Sequence, residues 1–253
     1  MMTLRSMAIA ATVTLSLVLV LAGFSKADAW KAEPQTDRQH LLRASDTLNT
    51  LTAAEQQAGW HLLFDGETLD GWHRHMNLPG DQVGGQWDVQ DGAIVGDQHP
   101  PGHGGFLVTD DVYRDFVLTL ETKLDYPVDS GLFLRVGDTG ASHQITLDYR
   151  PDGYIGAVYM AYLNGMVYEN PSGIEYFKKG AWNTVKVRIE GNPAHVQFWL
   201  NGRLVTDFQH TEATTEGAPQ EGTIGLQVHP GESYEAGNKV RFRNIQVKPL
   251  ATN

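Results

Sequence analysis

Asp115–Leu124 reads DFVLTLETKL, and its alternation decides the fold class. Phe116, Leu118, Leu120 and Leu124 fall on one side of an extended chain, with Val117, Thr119, Glu121 and Lys123 on the other. A period of two is that of a strand with one covered face. Three later stretches repeat it. GLFLRV (131–136) sets Leu132, Leu134 and Val136 against Phe133 and Arg135. HQITLDYR (143–150) turns Ile145 and Leu147 inward and Gln144, Thr146 and Asp148 outward, and GTIGLQVHP (222–230) opposes Ile224, Leu226 and Val228 to Gln227 and His229. If these strands share a sheet, one polar face carries acids, a guanidinium, amides and an imidazole together.

Outward from these strands, short runs rich in Val, Ile, Phe, Tyr and Trp recur, separated by Gly, Asp, Asn and Pro. They predict strands at 62–64, 87–90, 93–96, 106–109, 115–124, 131–136, 143–148, 155–160, 182–190, 195–200, 203–208, 222–228 and 240–247. Asp91-Gly92 and Asn201-Gly202 are two-residue hairpin signals. No helical period appears after residue 58; before it, Thr52 with Glu55 three residues on forms a capping-box pattern, which predicts a short helix at 52–58. The expected fold is all-β, a jelly-roll sandwich of two antiparallel sheets spanning 52–250.

The first residues read as a leader. Arg5 precedes an apolar run from Met7 to Ala22, and Ala27-Asp28-Ala29 forms a small-x-small cleavage pattern before Trp30. The run is short for a spanning helix, which needs about 17–25 residues, so a cleaved signal peptide at 1–29 is preferred over a retained anchor. Phe24 stands where a lipoprotein would need cysteine. A periplasmic or secreted protein without stable membrane insertion is expected, with residues 30–51 as a poorly ordered linker. The chain has no cysteine, hence no disulfides and no thiol nucleophile, and its net charge of −11 argues against a nucleic-acid partner.

Familiar catalytic signatures are absent: no G-x-S-x-G elbow, H-E-x-x-H helix, phosphate loop or dinucleotide fingerprint. Nor is there the E-x-D-x-E strand of sandwich glucanases, which would supply two carboxyls about 5–5.5 Å apart. GWHLLFDGETLDGWHRH (59–75) is chiefly an opening strand and turn, although Trp72, like Trp199, has the flat amphipathic surface that stacks on sugar rings. HPPGHGG (99–105) puts two histidines in a Pro/Gly loop, a weak metal signal against the plainer reading of a loop rimming a pocket.

Taken in order, the blocks LTAAEQQAGWHLLFDGETLDGWH, WDVQDGAIVG, GGFLVTDDVYRDFVLTLETKL, DSGLFLRV, ITLDY, GAWNTVKVRIEGN, VQFWLNGRLVTDF, GTIGLQVH and VRFRNIQV resemble the 3-keto-disaccharide hydrolase domain over about residues 52–249. That family has a concanavalin A-like jelly-roll fold. The resemblance implies cleavage of a glycoside whose sugar was first oxidised at C3 by a separate dehydrogenase, the pathway partner. The ketone acidifies the C2 proton, so the site needs a base and a group facing the enolate oxygen. On this reading Asp148 or Glu121 is the base, with His229 competing, and Arg135 faces the oxyanion. His143, Gln144, Tyr159 and Gln227 hold sugar hydroxyls, with Trp72 or His73 at the rim. The resemblance fixes no cofactor; a divalent metal on the acidic and histidine face is the one candidate. This sequence departs from the family at Asp129-Ser130-Gly131, where the family reads Asn-Ser-Gly, at His143-Gln144, where it reads Glu-x-Gln, and in the segment 160–177. The rival function is a non-catalytic carbohydrate-binding module, because this fold serves both.

Overall fold

Alternation and turn chemistry are realised almost strand for strand. The computed structural model describes residues 47–231 and 237–251, so the expected leader and the linker as far as residue 46 lie outside the described residues. The last linker residues are tied down: Asn49 is buried and exchanges backbone and side-chain hydrogen bonds with Asn244, and its amide donates to the Gly92 carbonyl at 2.9 Å. Helix α1 (Ala53–Gln57) follows, closed by the capping box of Thr52 and Glu55.

The described residues form two antiparallel sheets. In spatial order the first contains β13 (Arg203–Gln209), β12 (His195–Leu200), β11 (Asn183–Glu190), β6 (Phe116–Leu124), β15 (Val240–Pro249), β4 (Ala93–Asp97) and β3 (Gln86–Gln90). β1 (His61–Leu62) adds to β15. The second contains β10 (Gly165–Tyr168), β9 (Ile155–Ala161), β8 (Ser142–Asp148), β7 (Asp129–Val136), β14 (Thr223–Val228), β5 (Gly105–Thr109) and β2 (Trp72–Arg74). Both hairpin signals turn as expected, with Asp91, Gly92, Asn201 and Gly202 all at positive φ.

One continuous core lies between the sheets. Phe116, Leu118, Leu120 and Leu124 of β6 meet Leu132, Leu134, Ile145, Leu147, Ile224 and Leu226 of the other sheet. Two tryptophans with candidate stacking faces are drawn into packing instead. Trp72 is buried in this core, its indole N–H donating to the Leu63 carbonyl, and Trp199 is buried beneath the Lys186 ammonium.

A bulge breaks the alternation of β7. Phe133 pairs with Gly225 but Val136 pairs with Thr223, so β7 holds one extra residue, and Arg135 sits in the left-handed region at φ 57°. Its side chain therefore leaves the outer face and ends 1 % exposed at one end of the sandwich. There it donates to the Asp115 carboxylate at 2.7 Å and to the Arg114 and Gly191 carbonyls.

Beside this guanidinium His143 and His210 face each other at 3.3 Å, and His210 also meets the Thr214 hydroxyl at 3.1 Å. Burial, His210 and Arg135 push the His143 imidazole down to about 3, and burial and Arg135 push His210 down to about 4. The unfolded chain takes up these protons below about pH 6.5 while the folded one does not, so stability present above 6.5 is lost as the pH falls toward 4. Each histidine costs about 1.4 kcal/mol per pH unit. Asp129, described below, offsets part of this, because its raised carboxyl binds a proton in the folded state below pH 6. A net loss of about 3–4 kcal/mol between pH 7 and 4.5 is expected. Urea unfolding midpoints across that range check it: His210→Gln, with Asp129 still offsetting the remaining histidine, should remove most of the pH dependence, and a flat wild-type profile would refute it.

Candidate active site

The outer face of the second sheet carries a cleft with a volume of about 610 Å³. Its size lies in the usual range for small-molecule sites, about 300–1,000 Å³. Asp129 and Phe133 of β7, Gln144, Thr146 and Asp148 of β8, Tyr159 of β9 and Gln227 of β14 project into it. His229 follows β14 at one end, and the turn Tyr162–Gly165 closes the other.

The charged end is built on strand register. Asp129 and Asp148 pair directly across β7 and β8, which points both carboxylates to the same side. Arg150 lies two residues beyond Asp148 and spans the two acids: it donates to Asp148 at 2.8 Å through both Nε and Nη2, and to Asp129 at 3.2 Å. The turn after β8 presses onto Asp148 so closely that a Cβ on Gly153 would stand 2.2 Å from its carboxyl carbon, which only glycine avoids.

His229 completes the set. Its Nδ1–H donates to the Pro230 carbonyl at 2.6 Å, which leaves Nε2 unprotonated in the neutral ring, 3.5 Å from the Asp129 carboxylate. The loop 98–104 holds this corner. The Gln98 amide donates to the carbonyls of His229 and Gly231 at 2.8 Å, and its oxygen accepts from the Gly102 N–H. The two histidines of that loop do not line the cleft.

Asp129 is 15 % exposed. Burial pushes its carboxyl up to about 6; His229 pulls the other way, Asp148 adds to the rise, and Arg150 opposes it. A carboxyl that titrates near neutrality beside an imidazole with a fixed tautomer is equipped to accept and pass on a proton. Among the described residues no group of three or more His, Cys, Asp or Glu side chains is arranged to hold a metal ion; the Arg150 guanidinium supplies the positive charge between the acids.

Of the residues expected at the site, Asp148, His229, Gln144, Tyr159 and Gln227 line this cleft. The amide of Gln144 donates to that of Gln227 at 3.2 Å across its floor. The other five lie elsewhere. Glu121 belongs to β6 in the opposite sheet, where Arg243 donates to it at 2.6 Å and itself lies over the Trp182 ring. The expectation that it shares a face with Asp148 is corrected by this topology. Arg135 is turned away by the bulge and faces Asp115 rather than the cleft. His143 follows its own alternation and is buried against His210. Trp72 is in the core, and His73, bonded to Asp110 at 2.6 Å, borders a separate hollow of about 280 Å³.

Asp129 was not among the expected residues. Alternation extended two positions before Gly131 would have placed it on the face of Phe133, but the expected strand began at Gly131. Arg150 lies just past the end of β8.

Comparison with known proteins identifies the family and the fold. The family model of the 3-keto-alpha-glucoside-1,2-lyase-like domain matches residues 59–248. A 3-keto-disaccharide hydrolase of Bacteroides thetaiotaomicron is 24 % identical, with 83 % of this chain and 84 % of that protein covered. Two crystal structures from Parabacteroides distasonis, described as candidate glycosyl hydrolases, share the fold. One has a TM-score of 0.57 at 24 % identity, covering 81 % of this chain and 100 % of that one. The other has a TM-score of 0.54 at 22 % identity, covering 76 % and 99 %.

Proposed function

The chain belongs to the 3-keto-alpha-glucoside-1,2-lyase-like domain family, and from that premise we propose that it cleaves glycosides whose sugar carries a ketone at C3, a ketone that a separate dehydrogenase must supply. The observation that carries the reading is the pair formed by Asp129, with its raised carboxyl, and His229, 3.5 Å apart in the cleft. Ionised Asp129 takes the C2 proton, and the C–H electrons move into the C2–C3 bond while O3 becomes an enolate. When the C3 ketone re-forms, the C1–C2 double bond forms and the C1–O bond breaks. The departing oxygen takes a proton, which His229 passes on from Asp129. Water then adds, its hydroxyl to C1 and a proton to C2. Gln144 and Gln227 lie along the floor, placed to donate to the sugar oxygens, and Arg150 positions both acids.

Two results test this. In deuterium oxide, the released 3-keto sugar should carry solvent deuterium at C2, as detected by mass spectrometry; product free of it points to direct displacement at C1 and sinks the elimination route. The base must also be ionised. Because burial raises Asp129 to about 6, kcat/KM is expected to fall about tenfold per pH unit below 6 and to level off above 7. A profile that stays flat down to pH 4.5 would exclude Asp129 as the base.

A further inference from the structure

Residues 161–166, around the turn between β9 and β10, form the wall of the cleft at the end away from the acids. β9 and β10 make a hairpin in which Tyr159 pairs with Met166, so the two side chains stand next to each other on the cleft side. Among the described residues, large apolar side chains exposed to solvent are few. Three of them sit on this hairpin: Tyr159 at 37 %, Tyr162 at 39 % and Met166 at 39 %. Tyr162 holds φ 56°, a left-handed conformation that aromatic residues rarely adopt, and this turns its ring toward Phe106, with centroids 6.3 Å apart. Strain kept at the rim of a cleft points to a use for the ring it orients.

The distance fits a two-part substrate. Gln144 is four residues from Asp148 along β8, about 13 Å at the rise of a strand, and it pairs with Tyr159. With a sugar ring over the amides and its C2 within reach of Asp129, the hairpin wall is the surface left in the cleft to receive a group attached at C1. A second sugar would need partners for its hydroxyls, and beyond the two tyrosine hydroxyls this wall offers few. Asn164 already donates to the Ala213 carbonyl at 3.0 Å, while Leu163, Met166, and the tilted ring pair Phe106 and Phe133 (centroids 4.0 Å) are apolar. Aromatic rings gain from contact with both tyrosine faces and a thioether.

We propose that the hairpin wall of Tyr159, Tyr162, Leu163 and Met166 is a binding site for an aromatic leaving group, so that the preferred substrates are 3-keto aryl glycosides rather than 3-keto disaccharides. This rests on the reading of the cleft as a glycoside-cleaving site. The test compares kcat/KM for the 3-keto derivative of 4-nitrophenyl glucoside with that for 3-ketotrehalose, in the wild type, Tyr162→Asn and Met166→Ala. Asparagine tolerates the left-handed backbone, so Tyr162→Asn removes the ring without losing the turn. The wild type should prefer the aryl substrate by tenfold or more, and each variant should lower the ratio of the two constants about tenfold. Preference for the disaccharide, or an unchanged ratio in both variants, overturns the proposal. If neither 3-keto substrate is turned over, the proposed function fails instead. The wall is then judged by calorimetric binding of unoxidised 4-nitrophenyl glucoside, which both variants should weaken and which equal binding by all three proteins would refute.

Discussion

Asp129→Asn is expected to lower kcat on a 3-keto glycoside by about 10²–10⁴-fold, the usual contribution of a general base, while the folded protein becomes more stable. The two effects have one cause. Burial holds the Asp129 carboxyl near 6, whereas an exposed aspartate ionises near 3.8. At pH 7 the folded state therefore carries an ionised group it would rather keep neutral. The cost is up to about 3 kcal/mol; it is relieved as the pH falls through 6, or when the charge is removed. An amide keeps the shape of the carboxyl but carries no charge and accepts no proton. Single-turnover rates measured alongside urea unfolding would separate this from a structural role. If Asp129 only braced the fold, the variant would lose stability and activity together. Loss of rate with stability kept or raised marks a group retained for its chemistry.

Asp115→Ala is expected to be the most destabilising single change outside the hydrophobic core. It leaves the Arg135 guanidinium, 1 % exposed, without its charge partner, and it also removes the acceptor of the Gly191 N–H. Stranding one member of a buried pair costs about 3–5 kcal/mol, which lowers Tm by about 6–20 °C in a domain of this size. The double change Asp115→Ala with Arg135→Met removes both charges and should recover most of the loss. Calorimetry on the two single variants and the double variant measures the coupling directly. Equal Tm values for wild type and Asp115→Ala would show that the pair contributes nothing.

The fold was legible because its strands follow local rules. A period of two, Asp-Gly and Asn-Gly turns and one capping box are written in neighbouring residues, and each appears where the sequence puts it. The short strands β2 and β10 were not anticipated, since neither has a long enough pattern to register. The site was legible only in part, for reasons of topology. Alternation places Gln144, Asp148, Gln227 and His229 outward, and the cleft gathers them. It cannot say which sheet a strand joins, so Glu121 of β6 looked like a neighbour of Asp148 although the whole core separates them. It also cannot foresee an extra residue within a strand. The bulge in β7 turns Arg135 from a cleft residue into an internal ion partner. Asp129 was hidden by a boundary, since one further alternation step would have reached it.

The place of β10 in the second sheet has a consequence for how this protein can be altered. Among the described residues the strand has a neighbour on one flank only, β9, while the acids stand on β7 and β8, which are hydrogen-bonded on both sides. Under the proposed function, chemistry and selectivity would rest on strands with unequal numbers of hydrogen-bonded neighbours. The hairpin tip can be exchanged, lengthened or recoded with little disturbance to the register that aligns Asp129 with Asp148. A library confined to residues 162–166 would diversify which bond partners the cleft accepts while inheriting a ready-made reaction centre.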